Sequence, residues 1–163
     1  MDAAEIKKAV KSLAFNGFEY VTTEFSPYHS QLRFDVVGIR RYDKACRIVE
    51  VKSCRADFLR DKKWKEYLPF ATFFYFAAPE GAIHPEELPA EVGLITMRRL
   101  ESGWLTTEYT KKCKRLPPLS ETHYVKLVEG AYIRLKYELE GASKLLKQMG
   151  VNHESGLRTL PMR

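Results

Sequence analysis

Residues 33–52 read RFDVVGIRRYDKACRIVEVK and contain two apolar, β-branched runs on either side of a short charged segment. Runs of this kind are typical of the two strands of a β-hairpin. Each run contains one carboxylate, Asp35 in the first and Glu50 in the second. An unpaired ionised carboxylate is costly to bury, and a divalent cation bound by both groups would offset that cost.

The length of the turn predicts which residues of the hairpin face each other. A turn centred between positions 42 and 43 places Asp35 opposite Glu50, and Arg33 opposite Lys52. Opposed residues on antiparallel strands have Cβ atoms roughly 4.5–5.5 Å apart and point to one face. Glu50 and Lys52 also share a face because side chains alternate along a strand. A shift of one residue in the register would separate Asp35 from Glu50, so the predicted site depends on this register.

Size and composition predict a folded, soluble protein. The 163 residues, 45% hydrophobic and 12% aromatic, suit one domain at 1–150 followed by a flexible tail at 151–163. No apolar run approaches the roughly 20 residues that span a bilayer, and the first residues lack the order of a signal peptide. The three cysteines have no metal-ligand spacing and cannot all pair. We therefore expect reduced thiols in a cytoplasmic protein that does not bind membranes.

The net charge is +6 and the isoelectric point is about 9.2. A basic surface gains affinity for polyanions by releasing counterions from phosphates, so this charge favours a nucleic acid partner without specifying one. The sequence leaves the oligomeric state open, a homodimer included.

The periodicity of apolar residues predicts an α/β protein with a mixed sheet. Lys7 falls on the side of the first helix that we expect to face solvent or a partner. Because parallel strands need a crossover connection, a helix near residue 60 would join the third and fourth strands. The predicted elements are helices at 2–15, 57–67 and 120–149, and strands at 18–25, 33–39, 47–52, 71–78, 92–97 and 104–109.

An Asp followed, after fourteen residues, by Glu-Val-Lys on the next apolar run resembles the catalytic core of the PD-(D/E)XK nuclease superfamily. That resemblance implies a restriction-endonuclease-like α-β-β-β-α-β core, with Phe34 in place of the proline in the superfamily name. Over about residues 20–97 the chain is similar to the bacterial MmcB-like family of DNA repair proteins, a branch of this superfamily. The stretches that carry this likeness are Thr23-Glu24, RFDVVG at 33–38, VEVKS at 49–53, Asp57-Phe58, DKKWKEY at 61–67 and FYFAAP at 74–79.

The resemblance implies a metal-dependent deoxyribonuclease with a site on the hairpin. Asp35, Glu50 and the backbone carbonyl of Val51 would bind Mg²⁺ or Mn²⁺, and Glu24 would contribute through a bound water. Lys52 would orient the attacking water, or help to deprotonate it, and would stabilise charge on the phosphate. The catalytic residues would therefore be Asp35, Glu50 and Lys52.

Four further residues are candidates for contact with DNA, each with an ordinary alternative. Arg33 would contact phosphate or merely neutralise the carboxylates, and Ser53 would contact phosphate or serve as a strand-end hydroxyl. Lys63 and Tyr67 lie four residues apart, on one face of a predicted helix. Related nucleases carry a Gln-x-x-x-Tyr motif there, and the alternative for this pair is surface packing. Trp64, between them, is predicted to belong to the core.

Three kinds of function remain open at this point. We favour a nuclease that hydrolyses DNA phosphodiester bonds in DNA repair or processing. A module of the same fold that binds nucleic acid without cutting it is the first alternative. The second is a protein-interaction domain that uses the C-terminal helix, which would expose a continuous apolar stripe there. The carboxylates themselves have a simpler explanation, as salt bridges with Arg33 and Lys52 on an exposed face of the sheet.

Overall fold

A computed structural model describes residues 1–148 and confirms the predicted α/β class. A 3-10 helix at Lys63–Phe70 lies in the connection between the third and fourth strands, and a short one at Pro85–Glu87 precedes the fifth strand. The helices are α1 (Ala3–Leu13), α2 (Arg55–Arg60) and α3 (Glu121–Gln148), and the strands are β1 (Tyr20–Phe25), β2 (Phe34–Arg40), β3 (Ala45–Val51), β4 (Phe73–Pro79), β5 (Val92–Arg99) and β6 (Leu105–Lys111).

Helix α1 begins with a reciprocal pair of hydrogen bonds between side chain and backbone. The Asp2 carboxylate accepts the N–H of Glu5 at 2.8 Å, and the Glu5 carboxylate accepts the N–H of Asp2 at 3.0 Å. This capping box satisfies amides that no helical carbonyl can reach. Ile6 and Val10 are fully buried one turn apart, and they fix the helix against the sheet.

The six strands form one sheet whose spatial order follows the chain, from β1 to β6. The pairs β1–β2, β2–β3 and β5–β6 are antiparallel, whereas β3–β4 and β4–β5 are parallel. The connection through α2 and the 3-10 helix joins β3 to its parallel neighbour β4, as the sequence predicted. Strand β6 lies at one edge, which confirms the predicted edge strand.

Both faces of the central strands are covered. On one face, Val36, Val49 and Tyr75 belong to the buried cluster that also contains the apolar side of α1. On the other face, the Trp64 ring packs on Phe76, with centroids 5.7 Å apart. Trp64 is half-buried, so it covers the core at its margin and is not fully inside it as predicted. The nearly continuous apolar sequence of β4 follows from burial on both sides.

The predicted helix at 57–67 is wrong in its continuity, because Asp61 interrupts it. Asp61 has an extended backbone, and its Oδ1 accepts the N–H of Lys63 at 2.8 Å, a local bond that competes with helical pairing. The following segment is a 3-10 helix with about three residues per turn, so positions four apart do not share a face. Lys63 is accordingly exposed while Tyr67 is buried, contrary to the predicted shared face.

The chain forms two compact units, Met1–Gly130 and the part from Ala131 onward. The first turns of α3 belong to the first unit, where the N–H of Tyr28 donates to the carbonyl of Lys126 at 2.9 Å. A single domain over 1–150 stays a prediction, and the predicted tail at 151–163 lies outside the described residues. None of the described helices has the length and apolar content that a bilayer-spanning segment requires. All three cysteines are free, as predicted.

Candidate active site

The register of the hairpin agrees with the prediction. Strands β2 and β3 pair from Arg40 with Ala45 to Val36 with Val49. The same offset, carried one residue further, sets Asp35 opposite Glu50. The two acidic positions therefore follow directly from the last regular pair of the ladder.

Asp35 lies where the two strands separate. Its Oδ2 accepts the N–H of Val51 at 2.8 Å, in the place where a backbone carbonyl of β2 would otherwise bind. On the opposite side of β3, the N–H of Lys52 donates to the carbonyl of Ala77 at 2.9 Å. Because neighbouring residues of a strand direct their backbone groups to opposite sides, the carbonyl of Val51 points toward β2. Asp35 and this carbonyl therefore lie on the same side of β3.

Glu50 is buried, with 8% of its surface exposed. Its Oε1 accepts a hydrogen bond from Lys52 Nζ at 3.0 Å, and its Oε2 is buried with no hydrogen-bond partner among the described residues. Burial, together with the negative charge of Asp35, raises the pKa of Glu50 to about 8, although Lys52 opposes the shift. Without a ligand, ionisation of Glu50 in this buried position therefore costs free energy.

Lys52 is buried between two carboxylates. Its Nζ lies 3.0 Å from Glu50 Oε1 and 2.6 Å from Asp61 Oδ2, and 5% of the residue is exposed. Burial alone would lower the pKa of Lys52, but the hydrogen bonds and charges of Asp61 and Glu50 raise it above its ordinary value. The side chain is thus a charged ammonium in a fixed position. The simple explanation of an exposed salt bridge is wrong for this pair, because the pair is buried.

Asp61 is a site residue that the sequence prediction did not assign. It lies in the break between α2 and the 3-10 helix, where no helical or strand periodicity applies. Its two oxygens hold the N–H of Lys63 and the ammonium of Lys52, so one side chain both ends a helix and positions the lysine. The only signal for it in the sequence was its place in the family-like stretch 61–67.

Lys7, predicted to face solvent or a partner, is only partly exposed and lies at the candidate site. Its ammonium pairs with Asp35 Oδ1 at 2.8 Å and also with Glu24, and 21% of its side chain is exposed. Partial burial would lower the pKa of Lys7, whereas the hydrogen bonds to Asp35 and Glu24 raise it. The salt bridge predicted between Asp35 and Arg33 is also wrong, since Arg33 Nε lies 3.0 Å from Glu24 Oε2 instead.

The four candidate DNA contacts differ in accessibility. Arg33 is 72% exposed in its side chain and Lys63 is exposed, so both cations face solvent. Ser53 is partly buried, and its N–H donates to Asp57 at 3.2 Å. The Tyr67 ring packs on Phe34, and burial, with the nearby carboxylates, raises the pKa of its hydroxyl to about 12. Contact of these residues with DNA stays a prediction.

The donor set fits a magnesium or manganese ion. Among residues 1–148 no group of three or more His, Cys, Asp or Glu side chains could hold a metal. Mg²⁺, however, commonly takes only one or two carboxylates and keeps several waters. Asp35, Glu50 and the carbonyl of Val51 would supply hard oxygen ligands. The unpartnered Oε2 of Glu50 is the feature expected of a ligand whose cation is lacking.

Comparison with known proteins supports both the fold and the family. A solved protein of unknown function from Silicibacter pomeroyi is 23% identical and matches with a TM-score of 0.61 over 97% of this chain and 98% of its own, which shows a shared fold. Transcription factor E from Haloarcula marismortui is 30% identical over 100 residues. The match covers 49% of this chain, which spans only 57% of the length of that relative. The model of the family described as DNA repair protein MmcB-like matches residues 1–120, and the chain belongs to that family.

Proposed function

We propose that the protein is a metal-dependent nuclease that hydrolyses DNA phosphodiester bonds in DNA repair or processing. The observation that carries the proposal is the buried Glu50, which has an unpartnered oxygen beside Asp35 and a hydrogen bond to Lys52. A strongly perturbed carboxyl next to a like charge is a common property of catalytic sites. The family description supports DNA as the substrate, and so does the name of the related transcription factor.

Asp35, Glu50 and the carbonyl of Val51 would hold Mg²⁺ or Mn²⁺, with Glu24 available through a bound water. A metal ion bound there would polarise a phosphoryl oxygen and lower the pKa of its own water. The protein would hold these ligands in place, because the N–H of Val51 binds the Asp35 carboxylate and Glu50 lies near the end of β3.

Lys52 would act on the phosphate and on the attacking water. Its ammonium is held by Glu50 and Asp61 and stays charged, so it donates hydrogen bonds and cannot accept a proton. We therefore assign it the orientation of the water and the stabilisation of charge on the phosphate, and leave deprotonation to other groups. Asp61 is a positioning residue, because it acts through Lys52.

Exposed basic side chains near the site would supply affinity for DNA. Arg33 is next but one to Asp35 in the chain and is largely exposed, and Lys63 is exposed two residues after Asp61. Cations of this kind bind the phosphate backbone without reading the sequence of bases. Arg33 and Lys63 would therefore orient the DNA strand, whereas the buried Tyr67 would support the site through its packing on Phe34.

A module that binds DNA without cutting it is the alternative that shares the same site. Two neighbouring carboxylates repel a phosphate, and the buried Glu50 is held at a cost, so neither feature serves binding alone. The alternative becomes the better description only if the protein binds DNA and no metal restores cleavage.

The test compares two substitutions of the same kind in one hairpin. Purified protein, Asp35→Asn and Asp43→Asn would be incubated with single- and double-stranded DNA and with Mg²⁺ or Mn²⁺. We expect Asp35→Asn to lose cleavage by roughly 100-fold or more, since metal ions supply several kcal/mol of transition-state stabilisation. Asp43 pairs with Arg40 at the far end of the hairpin, so Asp43→Asn should cleave like the unaltered protein.

Lys52→Ala extends the test from the metal ligands to the phosphate. It should also lose cleavage, and both inactive variants should still bind DNA in an electrophoretic shift, because the exposed cations remain. Equal cleavage by the unaltered protein and Asp35→Asn would exclude this site as the source of the activity. Binding by all of the proteins with cleavage by none would favour the silent module.

A further inference from the structure

The ammonium of Lys7 lies on the carboxylate that the metal would use. It pairs with Asp35 Oδ1 at 2.8 Å and with Glu24. The other oxygen of Asp35 is held by the N–H of Val51 at 2.8 Å. A cation that binds Asp35 Oδ1 must therefore share that oxygen with Lys7 or replace Lys7 there.

The charges around the site explain why a cation is needed at this point. The negative charge of Asp35 raises the pKa of Glu50, and Glu24 lies within reach of the same ammonium. Lys52 neutralises Glu50 and Asp61 on one side. Lys7 supplies the positive charge on the other side, so its removal without a substitute would leave neighbouring carboxylates to repel each other.

The two lysines differ in their freedom to move. Lys52 has only 6% of its side chain exposed and lies between two carboxylates, so it cannot leave without unfolding that corner of the site. Lys7 has 21% exposed and stands at the end of a flexible four-carbon stem. Its helix is independently fixed by the burial of Ile6 and Val10, so the side chain can swing toward solvent while α1 stays in place.

We infer that Lys7 is a tethered counter-ion that holds Asp35 and Glu24 in the metal-free protein and is displaced when a divalent metal binds. This inference rests on the proposed function, because it requires a metal at Asp35. It assigns α1 a part in the site, since the helix delivers a cation that competes with the metal. The competition lowers the apparent metal affinity, because a site filled by Lys7 must first be vacated.

The first experiment measures binding of Mn²⁺ alone, without DNA, by isothermal titration calorimetry. Lys7→Met removes the ammonium and keeps most of the stem. The matched control is Lys8→Met, which removes the same charge from an exposed neighbour on α1. We expect the Kd for Mn²⁺ to fall by roughly ten-fold in Lys7→Met relative to Lys8→Met, because a charge-assisted hydrogen bond no longer competes.

The second experiment uses the unaltered protein and so does not depend on the folding of a variant. Acetylation of individual lysines by acetic anhydride would be followed by mass spectrometry with and without Mg²⁺. Lys7 should react slowly in the metal-free protein, since its ammonium is paired and partly buried. Its rate should rise several-fold on addition of Mg²⁺, while the rate at Lys8 stays the same.

The outcomes separate this inference from the proposed function. If Mn²⁺ binds the unaltered protein but Lys7→Met binds no more tightly than Lys8→Met, the displacement of Lys7 is refuted and the metal site stands. An unchanged acetylation rate at Lys7 under Mg²⁺ concentrations that saturate the protein would refute it as well. If neither the unaltered protein nor Lys7→Met binds Mn²⁺ at millimolar concentration, the metal site of the proposed function fails, and the inference fails with it.

Discussion

The two ends of the β2–β3 hairpin use charged residues in opposite ways. At the turn, Arg40 donates two hydrogen bonds to Asp43, both of 2.8 Å, and this pairing lowers the pKa of Asp43. At the open end, Asp35 and Glu50 bring like charges together, and burial with that repulsion raises the pKa of Glu50 to about 8. The same two strands thus carry a satisfied ion pair at one end and an unsatisfied acidic group at the other.

This difference separates charges that maintain the fold from charges kept for chemistry. A bidentate arginine–carboxylate pair satisfies both partners and orders the turn. A buried carboxyl group with an oxygen that has no hydrogen-bond partner does the reverse, since that oxygen has lost its water without gaining a bond. Sites where local stability is given up are where function is expected. The three predictions below test whether the two ends differ in this way.

The largest effect is expected from Lys52→Met at the open end. The substitution leaves the carboxylate of Asp61 largely buried without its cation, and it removes the charge that favours ionisation of Glu50. Loss of one partner from a buried ionic group costs about 3–5 kcal/mol in the free energy of unfolding. Urea denaturation of the metal-free protein at neutral pH would measure the loss.

Lys63→Met is the control for this measurement, because it removes an exposed lysine from the same region. It should change the free energy of unfolding by less than about 0.5 kcal/mol. A Lys52→Met protein as stable as Lys63→Met would mean that the lysine is not needed to neutralise the buried carboxylates.

A smaller effect, with the opposite sign, is expected from the pH dependence of Glu50. Its pKa is raised from 4.5 to about 8 on folding, so between these values the folded protein binds more protons than the unfolded chain. The metal-free protein should therefore lose stability as the pH rises from 4.5 to 8. Glu50→Gln imitates the protonated form and should be more stable than the unaltered protein at pH 8, by on the order of 1 kcal/mol.

Urea denaturation of both proteins at several values of pH measures this difference. The advantage of Glu50→Gln should disappear as the pH falls below 4.5, where the unaltered protein carries the proton in both the folded and the unfolded state. If Glu50→Gln is the less stable protein at pH 8, the carboxylate is satisfied by contacts that the structure does not show, and the contrast between the two ends is lost.

The register of the hairpin could be predicted from sequence because it is a local property. The centre of the turn, between positions 42 and 43, fixes which residues face each other, and the resulting pairing sets Asp35 opposite Glu50. The element order follows from the periodicity of apolar residues, and the parallel crossover follows from the helix expected near residue 60. The position of Asp35 opposite Glu50, at the centre of the candidate site, could thus be predicted from the sequence.

The two residues that complete the ion network could not be predicted in this way. Lys7 contacts Asp35 because α1 crosses the sheet near the end of β2, and the apolar pattern of a helix does not specify that crossing. Asp61 reaches Lys52 because the crossover breaks before the 3-10 helix, and the pattern that predicts a helix over 57–67 does not reveal this break. The contact of Lys7 joins elements distant in the chain, whereas that of Asp61 depends on where the crossover breaks, and both are fixed by tertiary packing.

The smallest effect is expected at the turn, from Asp43→Asn. The Arg40–Asp43 pair is partly exposed, and pairs of this kind contribute about 0.2–1 kcal/mol. Because the folded state lowers the pKa of Asp43 below its ordinary 3.8, this contribution is present above pH 3.8 and disappears as the pH falls through the lower value. The unfolding free energies of Asp43→Asn and the unaltered protein should therefore differ slightly at pH 7 and converge in acid. A loss at pH 7 as large as that of Lys52→Met would contradict the contrast, because the turn would then depend on its charges as strongly as the open end does.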